Sequence, residues 1–199
     1  MLRVTLICLL LLVSASMARA DSKADCNQEG NDDLAIRGCS ELIGRNPRDA
    51  VAYYNRGTAY LNKGQVDSAI ADLNKAIELN PRDAEAHNNR GNAYMRKSQY
   101  TQATANYERA IALKPSYDKA HNNMGEAYEN QNMLDRALEY YNKAIDINPR
   151  YVRAYVNRGD VYDKKGDKDR AISSYRRALD FDPVHKGALE ALAKLGATP

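Results

Sequence analysis

A stretch of 34 residues, Ala50 to Asp83, recurs three more times along this chain in register. Gly57, Gly91, Gly125 and Gly159 fall in one column, and Tyr60, Tyr94, Tyr128 and Tyr162 in a second. Ala69, Ala103, Ala137 and Ala171 make a third, and Ala76, Ala110, Ala144 and Ala178 a fourth. Pro81, Pro115, Pro149 and Pro183 close the units. A fixed period of this size marks a stacked array, not one globular core.

Each unit reads as two helices. With Ala50 as position 1, Ala52, Tyr53, Gly57 and Tyr60 fall roughly on one helical face of residues 50–63. Ala69, Ile70, Leu73, Ala76, Ile77 and Leu79 do the same over residues 67–79, and Gly64 breaks the chain between them. Asp67, Thr101, Asp135 and Asp169 stand where the second helix needs an N-cap, and Asp83 where the next first helix needs one. Each such cap contributes about 1 kcal/mol. Asn80-Pro81 ends the second helix, because a residue before proline disfavours the helical region. Glycine at position 8 and alanine at 20 and 27 let the helices approach. Tyrosine at 11 and Leu73, Tyr107, Tyr141 or Tyr175 at 24 fill the space beside them. A single hairpin cannot bury this face, whereas stacked hairpins can.

These columns resemble the tetratricopeptide repeat family: aromatic or His at 4, Gly at 8, Tyr at 11, Ala at 20, Tyr at 24, Ala at 27 and Pro at 32. The resemblance implies an all-α, right-handed superhelical solenoid forming one elongated domain, with repeats at 50–83, 84–117, 118–151 and 152–185. One departure is position 7, usually leucine, where Arg56, Arg90 and Arg158 stand and Met124 alone is apolar. Their stems are expected to pack while the charged heads reach water.

The flanks are different. Residues 1–20 read as a signal peptide: Arg3, an uncharged apolar run Val4–Val13, then Ala18-Arg19-Ala20. The run is too short for a membrane anchor, which needs about 20 apolar residues. Its removal leaves 27 basic against 26 acidic side chains, a balance that argues against nucleic acid as a partner. Cys26 and Cys39 then remain, and an even count in an exported chain reads as a disulfide. Residues 21–49 hold a degenerate half repeat in which these cysteines fall at positions 11 and 24, which face each other in the later units. Closing that loop contributes about 3 kcal/mol in the chain-entropy model. A redox or metal site lacks the spacing. Residues 186–199 read as a capping helix and tail, with Leu189, Leu192 and Leu195 on one stripe.

No catalytic motif is present: no GxSxG, HExxH, phosphate loop or EF-hand spacing. His87 and His121 share position 4 and read as packing residues, and His185 is isolated. No cofactor or metal is expected. Asparagine stands out instead, with Asn55, Asn89, Asn123 and Asn157 all at position 6. The family resemblance places positions 2, 5, 6, 9, 12 and 13 on a concave face. This column is similar to the asparagine ladder in the repeats of O-linked N-acetylglucosamine transferase. A carboxamide both donates and accepts, so a column of them could hold the backbone of an extended peptide; it could equally be solvated or bonded locally.

The early half of that face offers Tyr54, Leu61, Asn88, Asn92 and Met95 for an apolar contact. The late half offers Asn122, Glu126, Glu129, Asp160 and Asp163. Its carboxylates could receive a lysine, an arginine or a calcium ion, or remain a solvated face partly neutralised by Lys119, Arg153 and Lys164. The carboxylate clamp of chaperone-binding relatives does not carry over, since no unit has lysine at 5 with asparagine at 9; only Asn123 with Arg153 and Asn157 resembles its far side. The expectation is a non-enzymatic scaffold that binds a protein or extended peptide and is exported, most simply to a bacterial periplasm, with no membrane insertion after cleavage. An assembly subunit docking through its convex face or edges is the alternative. An accessory subunit of an envelope enzyme and a calcium-binding groove come behind it.

Overall fold

A computed structural model describes residues 22–28 and 30–199; the expected signal peptide lies outside them. The described residues form helices joined by short turns. One compact unit ends at Ala93 and a second begins at Tyr94, so the division falls within a helix. The first unit holds α1 (residues 22–26), α2 (Asp32–Arg45), α3 (Ala50–Asn62), α4 (Val66–Leu79) and most of α5 (Ala84–Arg96). The second holds α6 (Tyr100–Leu113), α7 (Asp118–Asn130), α8 (Leu134–Ile147), α9 (Val152–Lys164), α10 (Lys168–Leu179) and α11 (Lys186–Lys194). Consecutive helices pack as pairs: α2 on α3 and α3 on α4 in one unit, and each helix from α6 to α11 on the next in the other. No helix among the described residues is long and apolar enough to cross a membrane.

The glycine column sets the closeness of each pair. A Cβ on Gly159 would lie 2.5 Å from Tyr175 Cε1, and one on Gly125 2.6 Å from Tyr141 Cε1. Both rings are fully buried. In the first repeat the smaller Leu73 occupies that place, 3.0 Å from the same point on Gly57. Position 15 turns each hairpin in the left-handed region: Gly64 and Gly166 at φ +74° and +77°, Ser98 and Asn132 at 56° and 58°. Glycine adopts that region without strain.

This turn shifts the helix starts. The second helices all begin at position 17, at Val66, Tyr100, Leu134 and Lys168, so Asp67, Asp135 and Asp169 lie within the first turn and do not cap. Thr101 likewise lies inside α6. The preceding Gln65, Gln99 and Met133 make no side-chain cap bond, and only α10 is capped, by Asp167 on the Arg170 N–H. The first-turn carboxylates still face the positive end of the helix dipole. The other expected cap holds: Asp83 accepts from the Glu85 and Ala86 N–H groups at 2.9 and 3.0 Å, as Asp49 does from Ala52. His185 caps α11 through Nδ1.

The arginines at position 7 do not send their heads to water. Arg56 Nε and Nη2 donate to Asp72 Oδ2 and Oδ1 at 2.7 and 2.9 Å, and Nη1 donates to Ser40 Oγ at 3.0 Å. Arg158 donates to Ser174 and to Asn142, and Arg90 to Asn74. Each guanidinium reaches position 25 of the preceding unit, and Arg56 and Arg158 also reach position 23 of their own. In the third repeat the fully buried Met124 shares an apolar cluster with Tyr140 at position 23 instead.

Cys26 and Cys39 form a disulfide with their Cα atoms 4.5 Å apart. It holds the five described residues of α1 against α2, where a Cβ on Gly38 would lie 2.6 Å from the Cys26 nitrogen. At the other end, α11 covers Ala178 and Leu179 with Ala188 and Leu192.

Two stability measurements check this packing. Gly159→Ala is expected to lose about 2 kcal/mol in urea unfolding, whereas Gly44→Ala, with open space at its Cβ, loses nothing. Arg56→Met strands Asp72, whose side chain is only 9% exposed, and should cost about 3 kcal/mol; adding Asp72→Ala should recover most of it.

Candidate functional site

Position 6 of the first helices carries the carboxamides. Asn55, Asn89 and Asn157 are half-buried, and Asn123 is buried. Three of them are fixed by the unit before. Asn55 Nδ2 donates to Asn27 Oδ1 at 2.9 Å. Asn89 Nδ2 donates to Thr58 Oγ1 at 3.1 Å and to the Tyr54 hydroxyl at 3.3 Å. Asn157 Nδ2 donates to Asn122 Oδ1 at 3.1 Å. The amide nitrogens are therefore spent inside the protein. In Asn55 and Asn157 the carbonyl oxygen has no hydrogen bond among the described residues, while Asn89 Oδ1 accepts from Asn88.

In the first unit a cleft of about 490 Å³ opens beside the disulfide, lined by Cys26, Asn27, Tyr54, Asn55, Thr58 and Asn62. Its wall mixes carboxamides and hydroxyls with Ala35 and Ala59, and Asp32 is the one charged residue on it. Burial, ahead of the nearby Glu85 charge, pushes the Tyr54 phenol up, so it stays a hydroxyl at physiological pH. Asn92, on α5, is half-buried. Two expected surface residues are not at the surface. Leu61 is 6% exposed and packs with Ala69 and Ala93. Asn88 is 3% exposed. In the first repeat position 12 packs against the second helix and the next repeat, which takes Leu61 away from any apolar contact with a ligand.

In the second unit Met95 is half-buried against the core cluster of Tyr107 and Met124. Asn122 is also withdrawn, at 0% exposure. The acidic residues come together with their cations. Arg153 Nη2 lies 2.7 Å from Glu126 Oε2, and Lys164 Nζ 2.6 Å from Glu129 Oε1. Glu129 Oε2 also accepts from the Tyr141 hydroxyl at 2.6 Å, and Asp160 Oδ1 from the Tyr175 hydroxyl at 2.8 Å. Asp163 lies 3.8 Å from Lys194. Glu126, Glu129, Arg153, Asn157, Asp160 and Lys164 border a cleft of about 230 Å³.

Sequence reasoning leaves the tyrosines at position 24 off this face. The rings of Tyr141 and Tyr175 cross the hairpin beside glycine 8 and present the hydroxyl to Glu129 at position 12 and Asp160 at position 9. The sequence signal for it is weak: both repeats with acids at those positions carry tyrosine at 24, but so does the second repeat, where Tyr107 stands with Asn92 and Met95. Among the described residues no three His, Cys, Asp or Glu side chains are grouped as a metal ion needs. The carboxylates are distributed over separate cation and phenol partners. His87 and His121 are packing residues: their Nε2 atoms lie 3.3 and 2.9 Å from the Pro81 and Pro115 carbonyls, as the Tyr155 hydroxyl does from Pro149 at 3.2 Å.

Comparison with known proteins follows the same repeats. Residues 57–98 and 91–132 match the family model described as TPR repeat, and residues 39–71, 118–151 and 152–185 match models of the tetratricopeptide repeat. A crystal structure of MamA is 31% identical over 78% of this chain and 91% of that one, with a TM-score of 0.70. MamA of Desulfovibrio magneticus is 23% identical over 86% and 97%, with a TM-score of 0.74. A thermophilic TPR protein of Thermus thermophilus is 20% identical over 84% and 90%, with a TM-score of 0.70. These last two share the fold. No curated protein is significantly similar to the chain in sequence.

The electrostatics of Asp160 give a signed expectation. Burial raises its carboxyl above the ordinary 3.8, Glu129 and Asp163 add to this, and the Tyr175 bond and Lys164 offset part of it. The folded chain then holds this proton more tightly than the unfolded one. Ionised Asp160 lowers stability above its folded-state pKa, and that penalty disappears below 3.8. Asp160→Asn should melt higher than the parent at about pH 7 and at the same temperature near about pH 3.

Proposed function

Because the chain belongs to the tetratricopeptide repeat family, we propose that it is an exported, non-enzymatic scaffold that holds a segment of a partner protein against its first helices. A fold of this family is a protein-interaction scaffold in general terms. The observation that carries the finer reading is the state of Asn55 and Asn157. Each lines a cleft, one per unit. Each has its nitrogen anchored to the preceding unit and its oxygen unspent. A fixed acceptor of this kind takes a backbone N–H of an extended segment whatever its side chains, without first ordering a loose side chain. Tyr54 adds an aromatic wall on the first unit.

Export is supported by the apolar leader pattern Val4–Val13 and by the Cys26–Cys39 disulfide, a bond that persists in oxidising compartments. The absence of a grouped nucleophile and base in the sequence supports a binding role over catalysis.

The test uses fluorescein-labelled pools of randomised nine-residue peptides and fluorescence polarisation. Replacing Asn55, Asn89, Asn123 and Asn157 by alanine should weaken binding at least about tenfold, as expected for losing several hydrogen bonds, with the helical circular dichroism retained at the assay temperature. Undiminished affinity would overturn the carboxamide mechanism. It would direct attention to the second-helix side of the last repeat, where Arg158, Arg176 and Arg177 line a cleft of about 530 Å³ suited to docking in an assembly.

A further inference from the structure

The small cleft between α7 and α9 is one positive charge short. It holds three carboxylates and two cations. Glu126 is matched by Arg153 and Glu129 by Lys164. Asp160 is matched by neither. Its hydrogen bond comes from the Tyr175 hydroxyl, a neutral donor that occupies Oδ1. On the next turn Asp163 has its own lysine, Lys194. Tyr175 is fully buried, so it fixes the Asp160 carboxylate in place and leaves Oδ2 for something else. Burial raises this carboxyl's affinity for a proton, and Lys164, paired with Glu129, offsets that only in part.

The floor of the cleft carries a second mark. Asn157, which lines it, is bonded to Asn122 beneath. Asn122 is 0% exposed, and its Nδ2 has no hydrogen-bond partner. That buried donor calls for an acceptor and is not what a cation answers; what Asn122 does for the cleft is accept from Asn157 Nδ2, which leaves the Asn157 oxygen unspent. The place is polar, preorganised and incomplete.

Size and donor geometry narrow the occupant. About 230 Å³ lies below the roughly 300–1,000 Å³ of small-molecule sites, and suits one side chain. Grouped metal ligands are lacking among the described residues. An ammonium is a compact, strongly hydrated point charge, whereas a guanidinium offers five N–H donors in one plane and desolvates more readily. It can donate to Asp160 Oδ2 and Asn157 Oδ1 together. We propose that this cleft receives the guanidinium of an arginine in an extended segment of a partner protein, with Asp160 as its counter-ion and Asn157 as its second acceptor. This rests on the scaffold reading above.

The full chain is titrated with four nine-residue peptide pools, random at neutral positions and fixed at the centre as arginine, citrulline, lysine or glutamate. Citrulline has the shape of arginine without its charge. The arginine pool should bind at least about tenfold tighter than the citrulline pool, the size of a charge-assisted hydrogen bond, and tighter than the lysine pool. Asp160→Asn, which keeps an oxygen for Tyr175, should bring the arginine and citrulline pools within about twofold of each other. The parent comparison stands even if that variant folds poorly. Equal binding of arginine and citrulline, equal binding of arginine and lysine, or a preference that survives in a folded Asp160→Asn chain overturns the inference alone. Failure of every pool to bind overturns the scaffold reading with it.

Discussion

The contact between glycine 8 and the residue at position 24 is what the hairpins depend on. No side chain could stand at Gly125 or Gly159 without meeting Tyr141 or Tyr175 below 3 Å. The glycine therefore does more than shorten the distance between two helices. It opens a passage through which a ring attached to the second helix reaches the far side of the first. There the phenol meets Glu129 or Asp160. Packing and site are thus one interaction seen from two ends: the buried ring closes the hairpin, and its hydroxyl positions the charge. In the first repeat Leu73 closes the hairpin without a hydroxyl, and Thr58 and Leu61, at positions 9 and 12, are neutral.

Polar side chains do a second job between neighbouring hairpins. Arg56, Arg90 and Arg158 reach back to the preceding unit from one side of the first helix. Asn55, Asn89 and Asn157 do the same from the face that borders the clefts. Hydrogen bonds of this kind are directional, so they fix register where small apolar columns alone would permit sliding. In the third repeat Met124 instead clusters with Tyr140 of its own hairpin.

The repeat, the helix pairs and the cysteine pair were legible because each rests on a column of one residue type at one spacing. Cys26 and Cys39 could be matched because positions 11 and 24 face each other in every unit. The N-caps at Asp67, Asp135 and Asp169 were misplaced because the left-handed residue at position 15 moves the helix start, and neither Ser98 nor Asn132 advertises that conformation as Gly64 does. The fate of the arginine heads was hidden because their partners vary, with Asp72 or Ser174 at one position and Ser40, Asn74 or Asn142 at another. No single column shows them. Leu61, Asn88 and Asn122 were given to the surface from their place in the family pattern, and burial of positions 5 and 12 depends on neighbouring side chains that the pattern leaves unspecified. The acids at Glu126, Glu129 and Asp160 were correctly grouped, but their sorting into matched and unmatched charges needed coordinates.

The crosslink at the start of the array has a consequence for the first cleft. The disulfide ties the end of α1 to α2. Cys26 and Asn27, at that end of α1, form one bank of that cleft. A thiol-rich surrounding would cut the tether and let this bank drift from Asn55, leaving the second unit's cleft as built. The redox state of the compartment therefore decides whether the first cleft keeps both its banks.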